Sequence, residues 1–274
     1  MLVKTRSRVG VYIVLTVAAA ISALPNVLVL VGSLRPNSEI VANPTGLPTS
    51  LYLGNYARAW EQGAIGTYFL NSVVVTAVSL ALALVLFLPA AYALGRWRFR
   101  FAGAIQALFL LGLMVPLKIG ILPLAQMYDQ WRLVDNLAGL VLVYTAQAAP
   151  LMVLILSTFY RQLPESLDDA ARIDGASHFR TFFSVMTPLM KPAIAVSVVL
   201  SIGPIWNDFF MPLVLIRSEE NFTIPVGVSS FFGEYTADRG MLYAAIVIAV
   251  APVVIFFALA MRQIVSGLTA GIEK

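Results

Sequence analysis

The sequence predicts an all-α integral membrane protein with six transmembrane helices, and three observations carry that prediction. Of 274 residues, 59% are hydrophobic and only 12% are charged, where a soluble domain carries about a quarter. The apolar residues fall into six runs, each long enough to cross a bilayer with about 20 residues. Basic residues collect in alternate links between those runs, the asymmetry that orients a membrane chain.

The first run extends from Val9 to about Gly32, behind Lys4, Arg6 and Arg8. A basic start and an apolar centre also describe a signal peptide, but the run is long enough to span and no small-x-small cleavage site follows. It is therefore expected as a retained first span, 9–32. Residues 34–66 are polar and hold Pro and Gly, so they are expected as an outer loop with Tyr56 and Trp60 as interfacial anchors. A five-span core, 67–265, follows. Its second span runs from about Thr67 to Leu94. The third, Phe101 to Leu124, is interrupted by Pro116, Lys118, Gly120 and Pro123. After a polar link, Gln126 to Asn136, the fourth covers Leu137 to Phe159, the fifth Pro192 to Ile216 and the sixth Met241 to Val265. The whole chain, 1–274, reads as one domain.

With the N-terminus inside, the inner links hold twelve Lys and Arg and the outer ones five, with Lys118 left within a span. Both termini are thus expected in the cytoplasm, together with the loop 160–191.

That loop is the polar anomaly of the chain. Glu165, Asp168, Asp169 and Asp174 place four of the fourteen acidic residues within ten positions. Pro164 suits a first helical position, and the acidic residues crowd the turns where negative charge complements the helix dipole. Gly175 is placed to end the helix in a left-handed conformation, and Ser177 to cap a second helix on which Phe179, Phe182, Phe183 and Met186 recur at helical spacing.

Several classes of function are excluded. Without Cys there is no disulfide framework, thiol nucleophile or Cys-based metal site, and the one histidine, His178, cannot pair with another around zinc. The net charge of +4 is spread over interspan links, so nucleic acid is set aside as a partner. A proton- or sodium-coupled carrier would need carboxylates over several spans, and Asp208 is the only plausible one. An intramembrane hydrolase needs a Ser-His or paired-Asp arrangement at membrane depth. No GxxxxGK[ST] loop is present, so the chain hydrolyses no nucleotide by that device.

The spacing of Asp169-Ala170-Ala171, Gly175 and Val185-Met186-Thr187-Pro188 resembles the EAA loop of ABC-importer permeases. Asp stands for the family's Glu, Val for Ile and Thr for Leu. Trp206-Asn207-Asp208-Phe209 in span five resembles the carbohydrate-uptake, maltose-type branch, and the likeness extends over residues 60–274. The resemblance implies a permease subunit of a binding-protein-dependent importer in the inner membrane, moving a di- or oligosaccharide or related polyol. It implies four kinds of partner: a second, homologous permease, two ATP-binding subunits, an extracytoplasmic solute-binding protein and the sugar. ATP and magnesium would belong to the ATP-binding subunits, with no cofactor in this chain. Asp168, Asp169, Ala170, Ala171, Arg172, Asp174 and Gly175 would form a coupling helix for the ATPase, Asp169 in the position of the motif Glu. The loop is shared by permeases for amino acids, peptides, phosphate and metals, so a non-sugar solute is the first alternative, and a secondary carrier, which would leave the loop unexplained, is the second.

Span five places Trp206, Asn207 and Asp208 between Pro204 and Pro212. A carboxylate deep in a span costs about 2.5–3.5 kcal/mol on insertion scales and is expected to face a cavity or partner. Two readings are open: a translocation path, with Trp206 stacking on a sugar ring and Asn207 and Asp208 bonding hydroxyls, or a kinked helix near the outer surface. Lys118 in span three has the same pair of readings, pore-lining or snorkelling. Between Arg217 and Gly240, Glu220, Phe222, Phe231, Phe232 and Tyr235 are either interfacial anchors or contacts for the solute-binding protein.

Overall fold

The computed structural model describes residues 3–234 and 238–269, with side chains described outside 3–9, 117, 232–234 and 259–269. Every regular element among the described residues is helical. In chain order they are α1 (Val3–Ser33), α2 (Asn37–Ala42), α3 (Gly54–Glu61), α4 (Ile65–Arg96), α5 (Ala102–Met114), a 3₁₀ turn Leu117–Gly120, α6 (Ile121–Gln130) and α7 (Leu137–Gln162). Then come α8 (Ser166–Ile173), α9 (His178–Arg180), a π-helical turn Thr181–Met186, α10 (Thr187–Leu189), α11 (Lys191–Trp206) and α12 (Phe210–Leu215). A 3₁₀ turn Glu219–Asn221, α13 (Ile224–Glu234) and α14 (Arg239–Thr269) complete the series.

Among the described residues, four helices are long and apolar enough to cross a membrane: Gly10–Ser33, Ile65–Arg96, Leu137–Gln162 and Arg239–Ala258. Two bent pairs raise the number to six if each is one span. Ala102–Met114 meets Lys118–Gln130 at 78°, and His178–Leu189 meets Lys191–Trp206 at 71°. The first bend lies where Pro116 forces Val115 into extended backbone at ψ 113°.

By contacts the chain divides into two compact units, Met1–Gly66 with Gly227–Ala251, and Thr67–Val226 with Pro252–Lys274. In the first, the stretch 34–66 is not the loop expected: it contains α2 and α3. Arg35, buried at the end of α1, donates to the carbonyls of Glu39 and Asn43, each at 2.9 Å. Buried Asn55 donates to the carbonyls of Ser33 and Arg35 at 2.9 and 2.8 Å. The Ser33 carbonyl, which the end of α1 leaves open, is thereby satisfied by a side chain 22 residues along the chain. Tyr56 is held by Ser33 through a 2.7 Å hydroxyl contact rather than standing free as an anchor. Arg58 pairs with Asp238 at 2.5 Å.

The second unit is built around α7, which packs against α5 and α11. Its buried face, with Leu140, Tyr144, Met152, Leu156 and Tyr160, forms a core with Tyr92, Phe182, Met186 and Met190. Gly95 makes the approach of α4 to α7 close: a Cβ there would lie 2.7 Å from Tyr160 Cβ and 2.9 Å from the Ser157 carbonyl.

Span five is not one helix. Pro212 has no N–H for the carbonyl of Asp208, and its ring crowds that carbonyl, which disfavours an α-helix through 208; Pro25, Pro89, Pro150 and Pro252 are by contrast accommodated inside continuous helices. Residues 207–209 are accordingly non-helical between α11 and α12. Nor is 217–240 a plain loop, since it contains the turn Glu219–Asn221 and α13.

Candidate functional site

The acidic segment folds close to the sequence reading, with its start shifted. α8 begins at Ser166 with Glu165 as N-cap, so Pro164 lies before the helix and its carbonyl accepts the Leu167 N–H at 3.3 Å. At the other end Gly175 takes φ +72°. Its N–H donates to the Arg172 carbonyl at 3.0 Å, and the Ala176 N–H to the Ala171 carbonyl at 2.9 Å. That is a Schellman ending, which satisfies two terminal carbonyls. A Cβ on Gly175 would meet nothing within 4 Å, so the backbone angle, not space, requires glycine there. The Ser177 hydroxyl then accepts the Arg180 N–H at 3.3 Å. The helix after it passes through a π turn, which buries Phe182 and Met186 and leaves Phe179 and Phe183 exposed.

The side chains of α8 divide into two sets. Asp168 faces the chain: its carboxylate pairs with Arg96 at the end of α4, Arg96 Nε donating to Oδ2 at 2.7 Å. Arg96, 5% exposed, also donates to the carbonyls of Leu163 at 2.7 Å, Pro164 at 3.0 Å and Tyr160 at 3.2 Å. Asp168 is thus an internal anchor, not a free carboxylate beside Asp169. Ala171 is likewise buried against its own chain. Asp169, Ala170, Arg172, Asp174 and Gly175 are exposed, and so are two apolar residues, Ile173 at 86%, which sequence reasoning passed over, and Phe179 at 75%. Beside this helix a cavity of about 550 Å³ is lined by Arg96, Trp97, Arg98, Arg161, Asp169, Arg172 and neighbours.

The second site forms at the break in span five. Asn207, Asp208, Pro204 and Met211 line a cavity of about 290 Å³ with Lys118 and Gln147. Lys118 therefore lines the same cavity as Asn207 and Asp208. Lys118 and Asp208 form no direct ion pair: Lys118 Nζ lies 4.5 Å from the centre of the Phe210 ring, and Asp208 accepts the Tyr144 hydroxyl at 3.0 Å and the Phe210 N–H at 3.3 Å. Trp206 is elsewhere. It is buried, edge-on to Phe69 at 5.7 Å, so its ring is covered by α4 and offers no face for stacking. Gln147 on α7 was missed, although a lone Gln in an apolar run is a visible signal.

Of the residues between 217 and 240, Glu220 is exposed, and Phe222 is half-buried with its ring 6.0 Å from Tyr68. Phe231 is 1% exposed and so presents no surface. The side chain of Phe232 and all of Tyr235 lie outside the described residues. This region is tied down by Asp135, in the turn before α7. Asp135 accepts the Arg217 and Ser218 N–H groups at 3.0 and 2.9 Å and the Ser218 hydroxyl. Those bonds, led by the Ser218 hydroxyl, hold its carboxyl down at about 2. A depressed value means stabilisation that is complete above the ordinary carboxylate range and lost only as pH falls through about 2. Asp135→Asn is therefore expected to lower the melting temperature of the detergent-solubilised protein by the same amount at pH 5 as at pH 8. A deficit at pH 8 that vanishes at pH 5 would show that Asp135 does not hold this charge.

A family model described as "Binding-protein-dependent transport system inner membrane component" matches residues 87–269. The diacetylchitobiose uptake system permease protein of Streptomyces coelicolor is 34% identical over 255 residues, covering 92% of this chain and 84% of that protein. The arabinooligosaccharides transport system permease protein of Bacillus subtilis is 34% identical over 251 residues, covering 90% and 89%. The multiple sugar-binding transport system permease protein of Streptococcus mutans is 30% identical, covering 96% of each. Among solved structures, a bacterial ABC transporter involved in the import of the acidic polysaccharide alginate superposes with a TM-score of 0.79 at 22% identity, over 93% of this chain and 95% of that one. The last likeness concerns the fold.

Proposed function

The chain belongs to the family of binding-protein-dependent transport system inner membrane components, and on that premise we propose that it is one permease subunit of an ATP-driven importer that moves a di- or oligosaccharide or related polyol inward by alternating access. The two bent helix pairs each count as one span, giving six. Both termini and the α8 loop lie in the cytoplasm, as the twelve-to-five division of basic residues supports. α8 is the coupling helix. It docks on an ATPase subunit, of which the assembly holds two, with ATP and magnesium bound there. A second, homologous permease and an extracytoplasmic solute-binding protein complete the machine.

The observation that carries this reading is the division of α8. An anchored inner face, Asp168 and Ala171, is set against an outer face of Asp169, Ala170 and Ile173, with Phe179 exposed on the following helix. Exposed apolar side chains beside a carboxylate mark a surface built for a protein partner, and an anchored base lets a push on that surface reach α4. Movement of such packed elements as units is how closure at one end of a molecule opens the other. The test is purification from the native membrane in mild detergent. A nucleotide-hydrolysing subunit is expected to co-purify, and its absence from a chain that is itself intact would defeat the coupling reading.

A further inference from the structure

The cavity at the break in span five contains an amide with nothing to bond. Gln147 Oε1 is buried without a hydrogen-bond partner, and no hydrogen bond to either end of that side chain exists among the described residues. Leaving a buried polar group unsatisfied costs about 1–3 kcal/mol, and Gln147 sits in a helix, α7, whose neighbouring positions Tyr144, Thr145, Ala148 and Ala149 are buried core. An apolar residue at 147 would pack better. We infer that Gln147 is a direct substrate contact, and that this subunit itself binds a neutral, polyhydroxylated ligand between α7, α11 and the broken segment 207–209. The inference rests on the permease reading above.

The surroundings specify the ligand class. Gln147 and Lys118 line two adjoining cavities, the polar one of about 290 Å³ and a second of about 400 Å³ walled by Leu113, Val115, Pro116, Pro150, Leu151 and Leu200 among others. Sites of a few hundred Å³ with an apolar wall and a few convergent polar groups suit small molecules. The polar end offers the donors of Lys118, the acceptors of Asp208, and both kinds from the amides of Gln147 and Asn207. A hydroxyl donates and accepts, so vicinal hydroxyls match this mixed set, and the apolar face of a sugar ring matches the other wall. A phosphate or carboxylate brings acceptors only and would set its charge against Asp208. A cation would meet Lys118.

The chain has no Cys, so a single reporter thiol can be placed without background. Leu200→Cys puts one on the apolar wall and keeps Gln147. In the assembled, purified transporter, its reaction with a small methanethiosulfonate reagent is followed by mass on this subunit. The probes are maltotriose, diacetylchitobiose and arabinotriose, against glucose 6-phosphate and a mixture of amino acids. At least one neutral oligosaccharide is expected to slow labelling by about tenfold, the factor for a ligand at about ten times its dissociation constant. Adding Gln147→Leu is expected to abolish that protection while the labelling rate without sugar stays the same, which guards against a misfolded cavity. Protection that survives Gln147→Leu overturns the assignment, as does protection by glucose 6-phosphate or amino acids alone, or by no probe. Uptake of the radiolabelled probes by cells separates the two readings. Sugar carried without protection at 200 sinks this site and leaves the sugar-permease reading standing. Amino acids carried in place of sugar sink both.

Discussion

Replacing Arg96 by alanine is expected to free the α8 loop from the membrane helices and to reduce transport at least tenfold. Arg96 is buried at the end of α4 and closes hydrogen bonds to Asp168 and to the carbonyls of Tyr160, Leu163 and Pro164. Removing one partner of a buried ion pair costs about 3–5 kcal/mol, because the other charge is left without compensation. Asp168 is 21% exposed, so water recovers part of that loss and the low end applies. The carbonyls add to the effect: Arg96 bonds that of Leu163, just beyond the end of α7 at Gln162, and is a second partner for those of Tyr160 and Pro164. The effect of the two partners is therefore unequal. Asp168→Asn removes a charge but keeps the guanidinium on its carbonyls, and is expected to be the milder change. Arg96→Lys cannot span carboxylate and carbonyls with one ammonium and is expected to resemble alanine more than wild type. Hydrogen exchange over residues 166–173 checks this directly: protection should fall in Arg96→Ala and fall less in Asp168→Asn. Unchanged exchange in Arg96→Ala would mean that the staple holds nothing.

How much of this was legible in the sequence depends on the range of the interactions involved. The ends of α8 are set by residues within a few positions of each other, and Gly175 and Ser177 were readable because a left-handed turn and a hydroxyl cap are local chemistry. The break at 207–209 was readable in outline for the same reason: Pro212 acts on the carbonyl four residues before it. By contrast, Arg96 and Asp168 stand 72 positions apart, and nothing local distinguishes an arginine that reaches a distant loop from one that merely faces the cytoplasm. The helices within 34–66 were hidden similarly. Asn37–Ala42 and Gly54–Glu61 are too short to show a period and depend on Arg35 and Asn55, whose acceptors no pattern reveals. Aromatic residues near an expected surface were the least readable. Phe231 and Phe222 look alike in sequence, yet one is fully buried and the other half-buried, because neighbours from elsewhere in the chain decide it. The same lesson applies to Trp206, covered by Phe69.

Asp169→Arg is expected to abolish uptake while the protein inserts and melts as wild type does, because the side chain is exposed and forms no hydrogen bond or ion pair with another described residue. If its carboxylate meets a basic group on the ATPase, charge reversal turns attraction into repulsion, and a like-charge contact across an interface costs several kcal/mol. Gly175→Pro reaches the same loss by another route and carries a different signature. Its φ of +72° lies far from the roughly −65° that proline fixes, and the N–H given to Arg172 would be gone. The α8 ending would therefore unwind, lowering stability as well as transport. Gly175→Ala keeps the N–H and suffers only the left-handed penalty, about 1–2 kcal/mol, so its uptake should fall between those of wild type and Gly175→Pro. Ile173→Ser separates docking from charge: it removes apolar area from the exposed face without touching Asp169 or the anchor at Asp168, and should weaken co-purification of the ATPase in proportion to the lost contact. Normal uptake in both Asp169→Arg and Ile173→Ser would sink the assignment of α8 as the coupling helix. Loss in Asp169→Arg with a retained ATPase would instead place the carboxylate in transmission of the stroke and leave docking to the apolar residues around it.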